Sequence, residues 1–318
     1  MYFVRMLAAI WISCFLSLCT MVQAQAPGVP VYAEGRGSRA NAGITAQAQK
    51  LVDSGALPLT KALVEARMKE RSAPCALTLP NENSSHLDGR AVWQAARAAH
   101  VRVGWHYLCT KCDRWHLSLA GGYAITADGV VVTCAHVVRR EDMKEGHLIA
   151  VTEADEVLPV TEILAASDAL DTAILRVKSS TPLTALPFAK GTQPGDHVWC
   201  FSDPEGKRGY FSDGIVSRFV KRPFLRKREA GAVNLPADAP LPVWVETTTD
   251  WAPGSSGSAI VDDFGNAVGH VSEIQTMLQP PSPARADKKG AERSAGTTIV
   301  FHQGISAQTV LSLIKPMP

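Results

Sequence analysis

The chain has 318 residues, 46% of them hydrophobic and 19% charged, enough for one large or two small domains with a sizeable core. This composition excludes an intrinsically disordered acidic chain and a coiled coil. With 32 basic residues against 30 acidic ones and a formal net charge of +2, nothing in the charge balance points to a nucleic-acid partner.

The first element is a targeting segment. Arg5 is the single charge before an apolar run over residues 7–22, and Val22-Gln23-Ala24 supplies small residues for cleavage. The run has 16 residues, short of the roughly 20 a membrane-spanning helix needs. Residues 1–24 are therefore expected to be a signal peptide. The mature protein is expected to be exported, periplasmic or secreted, with no stable membrane insertion.

Residues 25–99 read as a flexible leader followed by helices. The stretch 25–45 is rich in Gly, Pro, Ala and Ser. Thr60 can cap a helix with Leu59, Leu63, Val64 and Met68 on one side. A second helix is expected from Asp88, with Val92, Ala95, Ala96 and Ala99 as its apolar face. Both are expected to pack on the main domain, residues 100–318.

From Val101 the pattern changes to short β runs. Strands are predicted over residues 101–105, 123–126, 130–134, 148–151, 173–177, 198–201, 214–217, 243–247, 258–261 and 267–271. Clusters of Gly, Pro and Asp punctuate them, and the pattern argues an antiparallel barrel or sandwich. A last helix is predicted over residues 306–314. Two long loops remain, a basic one over 218–240 and a Pro- and charge-rich one over 279–296.

Three motifs carry chemistry. Gly254-Ser255-Ser256-Gly257-Ser258 offers a serine flanked by glycines, which let backbone amides approach a developing oxyanion. Thr133-Cys134-Ala135-His136 places an imidazole at the end of an apolar strand. Asp171 directly precedes the apolar strand at 173–177 and can orient that imidazole, with Asp168 as the competing choice. The order His136, Asp171, Ser256 is one of the known orders of a catalytic triad.

Together with Gly121-Gly122-Tyr123-Ala124-Ile125-Thr126, Gly214-Ile215-Val216-Ser217 and Asp263-Phe264-Gly265-Asn266, these motifs resemble the trypsin-like (chymotrypsin-fold) serine proteases, within them the bacterial HtrA-type branch. The resemblance covers roughly residues 100–316. It implies an all-β fold of two six-stranded antiparallel barrels, with short N-terminal helices and a C-terminal helix; the PDZ domain of full HtrA proteins is not expected, since the chain stops about where the protease fold would close. It further implies that Ser256 is the nucleophile, His136 the general base and Asp171 its orienting partner. Backbone amides of Gly254, Ser255 and Ser256 would form the oxyanion hole, and a polypeptide would be the substrate, with no cofactor. Asp250 and His270 are candidates for lining the substrate pocket. This chain departs from the family pattern at Cys134, Thr172, Ser258 and Ala259, none of which removes a catalytic group. A catalytically silent binding module and an esterase using the same triad are the rival functions.

Seven cysteines become five once Cys14 and Cys19 leave with the signal. Cys109-Thr110-Lys111-Cys112 is expected to enter a structural disulfide, with Cys75 joined to one of the pair. Zinc is the alternative: Cys109, Cys112 and His116 make three ligands, and Cys75 or His86 would have to supply a fourth. With no second C-x-x-C, no metal is expected. Cys134 and Cys200 lie in apolar strands and are expected to be buried thiols.

Overall fold

The computed structural model describes residues 30–32, 41–223, 240–278 and 297–317. The expected signal segment, most of the leader, residues 224–239 of the basic loop and the whole of the 279–296 loop lie outside the described residues. The chain divides into units over 1–32 and 33–318, and everything below concerns the second.

Three helices come first: α1 (Ala42–Asp53), α2 (Lys61–Glu70) and α3 (Gly89–Ala99), with a short strand β1 (Cys75–Leu77) before α3. The Asp88 carboxylate caps α3 by accepting the Ala91 N–H at 2.8 Å, as expected from the sequence. Val92, Ala96 and Ala99 stand one turn apart and are buried. Burying Val92 alone contributes about 1.5–3 kcal/mol. Helix α1 begins inside the stretch expected to be leader. Ile44 and Ala48, four residues apart, bury its inner face against Ile149, Val151 and Val157.

A first group of strands follows: β2 (Val101–Cys109), β3 (Trp115–Ala120), β4 (Tyr123–Ala124), β5 (Val130–Thr133), β6 (Met143–Thr152), β7 (Val157–Ser167) and β8 (Thr172–Val177), with the single-turn helix α4 (Ala135–Val138) after β5. They form one antiparallel sheet of seven strands in the order β3-β2-β6-β7-β8-β5-β4. Strand β4 returns toward β2 only through the His100–Tyr123 bridge and the Val101 N–H, which donates to the Gly122 carbonyl at 3.0 Å. This half therefore differs from the expected six-stranded barrel. With two residues, β4 is too short to complete the closing ladder.

The second group is β9 (His197–Ser202), β10 (Tyr210–Lys221), β11 (Val243–Thr247), β12 (Ala259–Asp262), β13 (Ala267–Leu278) and β14 (Thr297–Ser306). It closes into a six-stranded barrel, β10-β11-β14-β13-β12-β9. Strand β10 runs on through Arg218 and Lys221, so the start of the expected basic loop is strand.

The chain ends differently from expectation. After Ser306 caps α5 (Ala307–Leu311), the polypeptide turns at Ser312 and extends into β15 (Ile314–Pro316), which pairs parallel with β1. The helix expected to reach residue 314 stops after five residues. A core running from Tyr123, Val132 and Ile174 of the sheet to Phe201, Trp244 and Ile305 of the barrel, with α3 against it, joins the two halves. Among the described residues, no helix is long and apolar enough to cross a membrane.

Candidate active site

Strand pairing brings the first two predicted residues together. β5 and β8 are antiparallel neighbours with Thr133 opposite Ala173, so the end of one strand lies beside the start of the other. His136 follows on α4 and Asp171 precedes β8. The His136 Nδ1 lies 3.0 Å from each Asp171 carboxylate oxygen, and the His136 backbone N–H donates to Oδ1 at 3.1 Å. Asp171 is fully buried, whereas the His136 side chain keeps 26% of its surface exposed.

Burial by itself raises the Asp171 carboxyl. The His136 imidazole, the hydrogen bonds from His136 and Ser272, and the His270 ring outweigh it and hold the carboxyl below its ordinary value. An ionised Asp171 makes Nδ1 of His136 the protonated nitrogen of the neutral imidazole and Nε2 the nitrogen with the lone pair that can accept a proton. Asp171 also sits at φ +43°, in the left-handed region. Asp168, the competing carboxylate, is half-exposed and engaged by Arg139.

Two further side chains from the barrel hold Asp171. The Ser272 hydroxyl donates to Oδ2 at 2.6 Å, and His270 donates from Nε2 to the Asp171 backbone carbonyl at 3.1 Å. Both alternate onto one face of β13. The sequence signal for this pair is two polar residues spaced by two in the otherwise apolar first half of β13, and Ser272 is not among the expected site residues. His270 is fully buried, and burial lowers its pKa to about 4, so it supports Asp171 as a neutral ring.

Ser256 is half-buried in the loop between β11 and β12. The loop is locked to the segment that carries His136. A Cβ on Gly257, whose φ is +86°, would meet the Gly121 carbonyl and the Thr133 hydroxyl at 2.4 Å. The Gly257 N–H donates to the Val271 carbonyl at 2.7 Å, and the Cys134 thiol donates to the same oxygen at 3.0 Å. Burial, reinforced by Asp171, pushes the Cys134 thiol well up, so it stays protonated.

The three amides expected around the oxyanion differ in availability. Ser255 N–H donates to the Ala252 carbonyl at 3.0 Å, and the buried Ser255 hydroxyl donates to that of Ser202 at 3.0 Å. Among the described residues, the N–H groups of Gly254 and Ser256 have no acceptor. Gly254 has φ +101°, and a Cβ there would lie 2.8 Å from the Asp203 carbonyl.

Asp250 is mostly exposed, with its carboxylate 4.0 Å from His302 Nε2 and its carbonyl accepting the Ser212 hydroxyl at 2.8 Å. The expected cysteine pairing is corrected. Cys75 sits on β1 with its thiol donating to the Leu313 carbonyl at 3.5 Å, and Cys75, Cys109 and Cys112 are all free thiols. The β1–β15 pairing is what holds Cys75 there. His86, the other residue weighed as a fourth zinc ligand, packs on Phe264 and faces Asp263 at 3.6 Å.

Comparison with known proteins follows the same lines. The trypsin-like peptidase domain family matches residues 120–269. The magnetosome formation protease MamE of Paramagnetospirillum magneticum is 30% identical over 174 residues, 53% of this chain and 21% of that protein. A probable periplasmic serine endoprotease DegP-like of Ectopseudomonas mendocina is 30% identical over 160 residues, 50% of this chain and 30% of the relative. The mitochondrial serine protease HTRA2 of Bos taurus is 26% identical over 155 residues, 48% of this chain and 31% of the relative. The chain thus spans less than a third of the length of these relatives. Residues 120–269 are a trypsin-like peptidase domain, through which the chain is related to the DegP/HtrA serine proteases.

Proposed function

We propose that this chain is an exported serine endopeptidase that cleaves polypeptides through His136, Asp171 and Ser256. The observation that carries the reading is the His136 Nδ1 contact, at 3.0 Å, with a buried carboxylate held in its ionised form. That contact fixes the tautomer a general base needs.

In the proposed reaction Ser256 Oγ attacks the scissile carbonyl carbon while His136 Nε2 takes its proton. The carbonyl oxygen becomes negative and is met by the N–H groups of Gly254 and Ser256. The C–N bond then breaks, His136 returns the proton to the leaving amine, and an acyl-enzyme remains on Ser256. Water, deprotonated by the same imidazole, hydrolyses that ester and restores the serine. Asp171 stays ionised throughout and stabilises the transient imidazolium. Export rests on the apolar run at residues 7–22 and on the periplasmic designation of the DegP-like relatives.

Fluorophosphonate labelling of the purified protein, with Ser256→Ala as the control, tests this. Labelling that disappears in the variant is the expected result. A folded protein that takes no label would favour the silent binding module. Labelling together with turnover of esters but not of a matched peptide panel would favour the esterase.

A further inference from the structure

Among the described residues, two groups of potential metal ligands lie outside the candidate triad, each with its ligand atoms within 4.8 Å of one another. The first, His100 with Glu153 and Asp203, already has guanidinium groups at its carboxylates: Arg97 lies 3.8 Å from Glu153 and Arg102 lies 3.9 Å from Asp203. The second, Cys109 with Cys112 and His116, consists of two thiols and an imidazole, the soft donor types that structural zinc sites use.

The second group sits at the tip of the β2–β3 hairpin. Cys109 is the last residue of β2, and its N–H donates to the Arg114 carbonyl at 3.0 Å. Asp113, at φ +52°, reverses the chain. His116 is the second residue of β3. Its Nε2 lies 2.9 Å from the Cys112 sulfur, and the Lys111 N–H donates to the Cys109 sulfur at 3.4 Å. The other three cysteines among the described residues are placed elsewhere: Cys75 on the Leu313 carbonyl, Cys134 on the Val271 carbonyl, and Cys200 buried in the barrel.

We propose that Cys109, Cys112 and His116 bind a zinc ion that clips the ends of β2 and β3 together, with a fourth coordination position open to water. Tetrahedral zinc with bonds of about 2.3 Å to sulfur and about 2.0–2.1 Å to nitrogen sets its ligand atoms about 3.6–3.8 Å apart. The Cys112–His116 pair, at 2.9 Å, is closer than that spacing, and all three ligand atoms already lie within 4.8 Å of one another, so loading asks for side-chain adjustment within a gathered set. Two thiolates and a neutral imidazole neutralise a divalent ion. The backbone N–H on the Cys109 sulfur gives that ligand the outer support metal-bound thiolates carry. Cys112 is exposed, which leaves an entry path from solvent. A Cys109–Cys112 disulfide is the competing state, and it gives His116 no role. The proposal stands independently of the peptidase reading.

The test uses the full chain, reduced and stripped with a chelator, then titrated with Co(II) and afterwards with Zn(II). Expected are one Co(II) per chain, thiolate-to-cobalt charge transfer, the visible bands of tetrahedral cobalt, and their loss on adding zinc. Cys112→Ser should abolish the spectrum and His116→Ala should weaken binding at least about tenfold. Cys75→Ser should bind as the parent does, and circular dichroism checks that each variant is folded. No uptake by reduced, folded protein would overturn the proposal. So would a spectrum indifferent to Cys112→Ser, or full affinity in His116→Ala.

Discussion

Ser272→Ala isolates the support of the buried carboxylate. The hydroxyl donates at 2.6 Å to Oδ2 of an Asp171 with no exposed surface, so its removal leaves an ionised oxygen short of a donor that water cannot replace. A hydrogen bond to a charged group contributes about 1.5–3 kcal/mol, and that is the loss expected at neutral pH. The pH dependence has a definite sign. A carboxyl held below its ordinary value in the folded state adds stability that is present above the unfolded value. That stability drains away as pH falls through the folded value. Without Ser272 the folded value moves up, so the variant loses this contribution at a higher pH than the parent. The gap between the two proteins should therefore narrow in acid. Urea unfolding of both at about pH 7 and about pH 3 reads it directly. A neutral-pH gap under about 0.5 kcal/mol, the range of an inconsequential surface change, would refute the reasoning. So would a gap that stays the same width in acid.

Gly257→Ala should cost at least about 2 kcal/mol and depress fluorophosphonate labelling, because a left-handed φ and a 2.4 Å approach to Gly121 coincide there. Gly43→Ala in α1 meets nothing within 4 Å and should stabilise by roughly 0.5–1 kcal/mol; thermal melts of the two variants check the contrast. Asp250→Ala should lower cleavage after Lys and Arg more than cleavage after Leu or Val if its exposed carboxylate meets the substrate side chain. An equal loss across a P1 panel would remove it from that role.

The strands nearest the candidate site were the most legible. Val130–Val132 and Ala173–Leu175 are apolar runs in which every residue is buried, so their composition alone identifies them. Strand β7 was missed because Pro159 and two register shifts, near residues 160–162 and 163–165, break its alternation. Strand β3 does carry the two-residue period, with Trp115, Leu117 and Leu119 alternating with His116 and Ser118, and lies outside the expected strands all the same. The short β1 and β15 exist only as partners of each other, and pairing across more than two hundred residues leaves no local mark. His136, Asp171 and Ser256 were legible because each sits in a motif tied to a strand end. Ser272 was not, since its meaning depends on which strand of the barrel faces Asp171.

The position of β13 explains why the loops of this site cannot be considered one at a time. By register β13 belongs to the barrel, paired with β12 and β14. Yet His270 and Ser272 hold the backbone and side chain of Asp171, which belongs to the other sheet. Between them, the Val271 carbonyl takes the Gly257 N–H from the serine loop and the Cys134 thiol from the histidine segment. Three consecutive residues of one strand therefore set the separation of all three candidate catalytic segments. A shift of β13 by one residue would turn His270 and Ser272 away from Asp171 and present Val271 to a buried charge. The barrel register is thus part of the site, and the core shared between sheet and barrel keeps the carboxylate, the imidazole and the serine loop in a single arrangement.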